Sequence, residues 1–302
     1  MPLYSDSEDS AIGNLLIFVN PNSGSGKGVQ IFNSKVAVEL KRNKISYELV
    51  ITTSLNHAKS IVRERDDLTK FNGILILSGD GLIYEVLNGL RGRCDSNIIL
   101  PSLPIGIVPS GSGNGLLSSL FANKGEPLKN PKFMKRAVEI SCSPAAQAQP
   151  INLIDVQTDK ENITAFLSIG WGIMADIDIE SERWRRMNCI KAQCQGEDIN
   201  TSSYTSYGFR EDARYVQTIP DIQNEVSKDW ITIEDEFIGV YAVALSHISN
   251  TGPFMSQARL DDDRIYLTYI LKKDVPSRLD IIKFLNSIGS QKHQDMPFLK
   301  VI

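Results

Sequence analysis

The sequence predicts an α/β protein. A parallel-sheet, three-layer domain comes first, and an antiparallel, strand-rich domain follows. Three observations carry this expectation. From residue 15 to residue 140, short apolar runs alternate with amphipathic stretches, the rhythm of a sheet whose strands return through helices. Three glycine loops each follow an apolar run: 20–28 (NPNSGSGKG), 78–81 (SGDG) and 109–114 (PSGSGN). Beyond residue 150 strand signals dominate.

Each element has its own warrant. Residues 1–13 open acidic and polar (MPLYSDSEDS), which predicts a disordered tail rather than a signal peptide. LLIFV at 15–19 is a strand. Val29, Phe32, Val36 and Leu40 then share one face of an amphipathic stretch. SYELVI at 46–51 is the next strand, and a helix at 57–65 buries Ala58, Ile61 and Val62. ILIL at 74–77 has the look of a strand buried on both faces. After it Leu82, Val86 and Leu90 recur at helical spacing. IGIV at 105–108 is a strand, with a helix from Leu116, Leu117 and Leu120. Phe133, Met134, Ala137 and Val138 mark a closing helix. Such a domain is Rossmann-like.

Small residues and proline at 141–150 (SCSPAAQAQP) read as the passage between domains, here 14–147 and 148–302. In the second domain, strands are expected at 151–156, 163–169, 237–245 and 265–271, and a helix at 277–287. These predict an antiparallel β-rich sandwich. Residues 188–229 are polar with few apolar anchors and read as a mobile surface loop.

Composition excludes several functions. A chain of 302 residues with 42% hydrophobic content has material for two cores. Net charge is −4 without a basic stripe, so nucleic acid is not the expected partner. No apolar run reaches the ~18 residues of a membrane span. Cys94, Cys142, Cys189 and Cys194 form no C-x-x-C pair, and His57, His247 and His293 are scattered. That spacing suits free thiols in a reducing cytosol, not a zinc centre.

The glycine loops point to phosphate chemistry. Gly79-Asp80-Gly81 lies between a strand and a helix, where α/β sheets place ligands. Glycines there let backbone approach a ligand and tolerate positive φ. An Asx-type turn is the plainer explanation for a bare GDG. Loop amides and a helix N-terminus at 109–114 suit phosphate oxygens. The first loop does not match the P-loop spacing G-x-x-x-x-G-K-[ST]. Kinase HRD and DFG signatures are also absent.

NPNSGSGKG, SGDGLIYEVLNGL and PSGSGN resemble the nucleotide-site motifs of the diacylglycerol kinase catalytic-domain family. Leu82 after GDG, and the stretch 168–187 (SIGWGIMADIDIESERWRRM), resemble the sphingosine kinases within it. The likeness runs from about residue 15 to the end, with a poor match at 188–229, where relatives place an amphipathic helical flap. It implies a nucleotide-binding domain at 14–147 and a lipid-binding domain at 148–302.

By this resemblance Asp80 is the catalytic base, and Ser78, Gly79 and Gly81 lie at the acceptor. Asn20, Pro21, Asn22 and the run Thr52, Thr53, Ser54, Leu55 and Asn56 contact nucleotide. Asn56-His57 fits a helix cap equally well. Gly111, Ser112 and Gly113 match the phosphate and ribose loop. Glu85 contacts the nucleotide by resemblance; as a residue alone it reads as a solvated helix carboxylate. Arg185 matches a phosphate contact; Lys191 stands where its arginine partner is expected, keeping charge but losing the planar fork. Ser168 matches a contact to the lipid hydroxyls and Asp178 one to its ammonium, although an acidic run such as Asp176 to Glu182 also reads as a solvated helix start.

ATP and Mg2+ are the implied cofactors, sphingosine or a related sphingoid base the implied substrate. The implied setting is cytoplasmic, at a peripheral membrane surface. Relatives end with an Asp-Gly-Glu strand that returns to the nucleotide; this chain stops at FLKVI and reads as truncated before it, with an interior strand left unpaired. Two alternatives stay open: a diacylglycerol or ceramide kinase, and a catalytically silent lipid- or nucleotide-binding protein.

Overall fold

The computed structural model describes residues 3–4, 13–158, 160–185, 207–209, 231–260, 262 and 264–302. The polar stretch 188–229 lies outside these, apart from 207–209. The chain falls into two compact units, 1–167 with 244–264, and 168–243 with 265–302.

The first unit begins with β1 (Leu3–Tyr4), an edge strand antiparallel to residues 48–49, so the expected tail of 1–13 is not wholly irregular. β2 (Gly13–Val19) leads through α1 (Gly28–Ile31), a π-helical turn (Phe32–Val36) and α2 (Ala37–Arg42). Phe32, Val36 and Leu40 are all buried at four-residue intervals. A 3.6-residue turn would let that row drift, and the wider turn takes up the drift. β3 (Ile45–Ile51), α3 (His57–Glu64), β4 (Gly73–Ser78) and α4 (Asp80–Arg91) follow. Then come α5 (Ser96–Ser102), β5 (Ile105–Pro109), α6 (Gly115–Lys124) and α7 (Lys132–Ser141).

The sheet order is β1-β3-β2-β4-β5, parallel from β3 to β5. Strand alternation divides the core. Leu16, Phe18, Ile74 and Ile76 pack with α3, α4 and α6, whereas Ile17, Val19, Leu75 and Leu77 pack with Phe32, Val36 and Leu40. This is the three-layer arrangement expected. Register places Val19 beside Leu77 and Ser78 beside Pro109. The loops that follow β2, β4 and β5 therefore emerge side by side.

A hairpin of β6 (Ile154–Gln157) and β7 (Asn162–Ala165) belongs to this unit. Asn88 on α4 binds it like a strand edge: its Nδ2 donates to Thr164 O (2.8 Å) and its Oδ1 accepts from Thr164 N (2.9 Å). The hairpin thus stays with the first compact unit, which runs to 167, past the compositional shift near 147.

The second unit holds β8 (Ser168–Gly172), α8 (Ile173–Arg185), β9 (Tyr207–Phe209), β10 (Ile231–Ile233), β11 (Phe237–Val243), β12 (Tyr266–Leu271), α9 (Arg278–Ser287) and β13 (Leu299–Val301). Its antiparallel sheet runs β13-β12-β11-β8, and β9 pairs with β10. The single strand expected at 163–169 is two strands in two sheets. Phe166 between them is buried in the first unit's core, and Ala244 N donates to Leu167 O (3.1 Å). β12 is paired on both sides, since β13 covers Thr268 to Ile270. No helix among the described residues is long and apolar enough to cross a membrane.

Candidate active site

The three glycine loops of the first unit interlock. Gly79 has extended φ (−103°), so neither flanking glycine of Asp80 serves a left-handed turn. The need at Gly79 is contact instead: a Cβ there would lie 2.5 Å from Gly113 O. A Cβ at Gly111 would lie 2.5 Å from Gly79 Cα and N. Gly24 does have positive φ (+58°), and a Cβ there would meet Ser110 O at 2.3 Å. Ser78 Oγ donates to Ser23 Oγ (3.0 Å), and Asp80 N donates to Gly113 O (3.3 Å). Gly81 differs, with nothing within 4 Å of a Cβ.

Asp80 opens α4, yet its carboxylate serves another helix. Oδ2 accepts from Gly115 N (2.7 Å) and Oδ1 from Leu116 N (3.2 Å), the free amides that begin α6. Burial pushes its pKa above the ordinary carboxylate value, and these two amides only partly offset that. The far side of the same turn is also held. Ser119 Oγ accepts from His247 N (3.0 Å), and a Cβ at Gly115 would lie 2.7 Å from His247 O. Burial lowers the His247 pKa, which favours the neutral ring.

Nucleotide candidates line the same sheet end. Asn20 Oδ1 accepts from Asn22 N (2.9 Å), an Asx turn that also fixes Pro21. Thr52 is buried and its Oγ1 donates to Val19 O (3.3 Å). Thr53 N donates to His57 Nδ1 (3.1 Å), while Ser54 and Leu55 are exposed. Asn56 makes no side-chain cap bond; it is left-handed (φ 61°) before α3. The helix-cap alternative for its side chain is therefore not realised. Ser112 is exposed between Gly111 and Gly113.

Among the described residues of this unit, four polar side-chain atoms are buried without a hydrogen-bond partner: Glu85 Oε2, Ser110 Oγ, Asn114 Oδ1 and Ser118 Oγ. Such atoms are costly unless something satisfies them. Ser110 and Asn114 belong to the third loop, and Asn114 Nδ2 donates to Gly111 O (3.1 Å). Ser23, Ser110, Asn114 and the amides of Gly115 and Leu116 were not singled out by sequence reasoning. All sit in or beside the glycine motifs, which was the available signal. Glycines that a Cβ would fill, beside the Ser110 hydroxyl as a free donor, fit the phosphates of ATP, whereas Glu85 Oε2 and Asn114 Oδ1 only accept and call for a donor or a cation. Among the described residues no three carboxylate, histidine or cysteine side chains stand together for a metal.

In the second unit, Ser168 opens β8 half-buried and its Oγ lies 2.9 Å from Tyr241 Oη. Gly172 takes positive φ (+78°) where β8 turns into α8. Asp176 and Asp178 are exposed on α8. Arg185 ends that helix, and Lys191 lies outside the described residues.

Residues 14–148 match the family model of the diacylglycerol kinase catalytic domain. The chain is 39% identical to sphingosine kinase 1 of Caenorhabditis elegans, over 97% of this chain and 73% of that one. Sphingosine kinase 1 of Mus musculus is 27% identical, over 94% of this chain and 79% of its own length. A putative diacylglycerol kinase from Bacillus anthracis str. Sterne has a similar fold, with a TM-score of 0.61 at 16% identity, covering 96% of this chain and 83% of that one.

Proposed function

The chain belongs to the sphingosine kinase family, and from that premise we propose that it transfers the γ-phosphate of ATP to the primary hydroxyl of sphingosine, giving sphingosine 1-phosphate. The observation that carries the reading is the buried Asp80 carboxylate, held by two helix amides inside interlocked glycine loops.

Asp80 takes the hydroxyl proton as the acceptor oxygen bonds to phosphorus and the bond to the β-phosphate oxygen breaks, releasing ADP. A carboxylate with a raised pKa is better matched to proton transfer near neutral pH than an ordinary one. Asn20, Pro21, Asn22 and Gly111 to Gly113 hold phosphates through loop amides. Residues 52–56 face the nucleoside, and Glu85 serves the nucleotide and its magnesium. Arg185 and Lys191 supply positive charge to the phosphates. Magnesium carried on those phosphates would supply neutralisation of the charge that develops there, with Glu85 the residue that would hold it. Ser78, Gly79 and Gly81 approach the acceptor; Ser168 engages its hydroxyls and Asp178 its ammonium. We place this activity in the cytoplasm at a membrane surface, where a lipid acceptor resides.

The test is label transfer from γ-labelled ATP to a panel of sphingosine, diacylglycerol and ceramide. Sphingosine should be preferred, because a carboxylate at 178 favours a cationic head group. Preference for diacylglycerol or ceramide would reassign the acceptor, and no transfer to any lipid would leave a nucleotide- or lipid-binding protein.

A further inference from the structure

Tyr241 of β11 stands directly opposite Gly170 of β8, and Ser168 pairs with Val243. Ser168 is thus the diagonal neighbour of Tyr241 on the same face, within reach of a long aromatic side chain. The ring lies on the glycine: a Cβ at Gly170 would be 2.3 Å from Tyr241 Cε2 and 2.4 Å from Cδ2. Any other residue at 170 would displace the ring. On the opposite side of β11, Thr268 Oγ1 donates to Tyr241 O (3.0 Å), which fixes the backbone beneath it. The ring therefore runs back along β8, and its hydroxyl ends 2.9 Å from Ser168 Oγ.

We propose that Tyr241 is a positioning residue of the acceptor site, holding the Ser168 hydroxyl in one direction so that its remaining hydrogen-bonding capacity meets a hydroxyl of the sphingoid base. The inference rests on the reading of Ser168 as an acceptor contact. A serine hydroxyl rotates freely and has one donor and two acceptor sites. Whichever oxygen donates, the phenol occupies one of these three sites and leaves two for the acceptor. Packing on Gly170 needs only the ring, so phenylalanine would serve a purely structural role equally well. Both side chains are half-buried, so water could satisfy either hydroxyl without the other.

The experiment is a cycle of Ser168→Ala, Tyr241→Phe and the double variant in the full chain, with KM measured for sphingosine and for ATP. Tyr241→Phe keeps the ring on Gly170 and should lower kcat/KM for sphingosine about three- to tenfold, the scale of one hydrogen bond. KM for ATP should not move. The double variant should be no worse than Ser168→Ala, because the proposal routes the phenol's effect on sphingosine turnover through that hydroxyl. Gly170→Ala should reproduce the loss by displacing the ring, with the melting temperature reporting whether the fold survives. Wild-type kinetics for Tyr241→Phe beside an impaired Ser168→Ala would overturn the proposal alone, as would effects that multiply. An unimpaired Ser168→Ala would instead remove the reading beneath it.

Discussion

Two junctions in this molecule use the same device to different ends. β4 passes through Gly79 into α4, and β8 passes through Gly172 into α8. Both glycines admit close backbone, Gly113 O at the first and Ile238 O at the second. Both helices carry acids near their starts. At the first junction, Asp80 is buried, gripped by amides and raised in pKa. At the second, Asp176 and Asp178 are exposed. A glycine followed by an acid does not define a role; burial does. A buried, fixed carboxylate suits proton transfer, whereas an exposed one is reachable by a cationic head group.

Asp80→Asn tests the first junction and should have the largest effect, a loss of about 10²–10⁴-fold in kcat. Asparagine offers one acceptor oxygen where two amides converge, so the start of α6 should also weaken by roughly 1–3 kcal/mol. Nucleotide affinity separates the effects: unchanged ATP binding with lost turnover marks the base, while parallel loss of both marks a helix cap. The pH dependence adds a second check. The raised pKa puts the acid limb of kcat/KM above the ordinary aspartate value of about 3.9. The linkage sign is also set. A raised native pKa contributes stability that is present at low pH and lost as pH rises through it. Melting curves of Asp80→Asn should lack that component.

Gly79→Ala should come next. Its Cβ would meet backbone, not a flexible side chain. Loops 79–81 and 111–113 must then separate, and displacement of about 1 Å can reduce turnover on the order of 10²-fold. Near-normal kcat would show that the interlocked loops do not set the geometry.

Asp178→Ala addresses the second junction. A charge-assisted contact of roughly 1.5–3 kcal/mol would make kcat/KM for sphingosine fall about ten- to a hundredfold, with KM for ATP unchanged. An unchanged KM for sphingosine would move the ammonium contact elsewhere, with Asp176 the next to test.

The two junctions were unequally legible. The apolar runs at 15–19 and 74–77 announced strands because both faces are buried, and each loop stood out by composition. Positive φ at the GDG glycines was the wrong reason for them; Gly79 is needed because a loop from another strand lies against it. Nothing near Asp80 in sequence shows that its partners are Gly115 and Leu116, since the sheet alone brings β4 and β5 together. The attachment of the 154–165 hairpin to the first unit is not legible for a like reason, because Asn88 and Thr164 meet only in the fold. α5 carries little helical signal, since SNIILPS is short and contains Pro101.

The smallest effect belongs to Gly81→Ala, and it sharpens the contrast from within one motif. Gly79 and Gly81 flank the same aspartate, yet a Cβ at Gly81 meets nothing within 4 Å. Gly81 lies inside α4 without positive φ, so alanine fits the backbone. Removing glycine's freedom in the unfolded chain should stabilise the fold by about 0.5–1 kcal/mol. If Gly81 is an approach surface for the acceptor, the added methyl should raise KM for sphingosine while the melting temperature rises. If it is only an exposed helical position, stability should rise with both KM values unchanged. Either kinetic result is interpretable because the fold is expected to gain. A fall in melting temperature would contradict the open space around Gly81 and, with it, the claim that contact with the loop at 111–113 is what separates the two glycines.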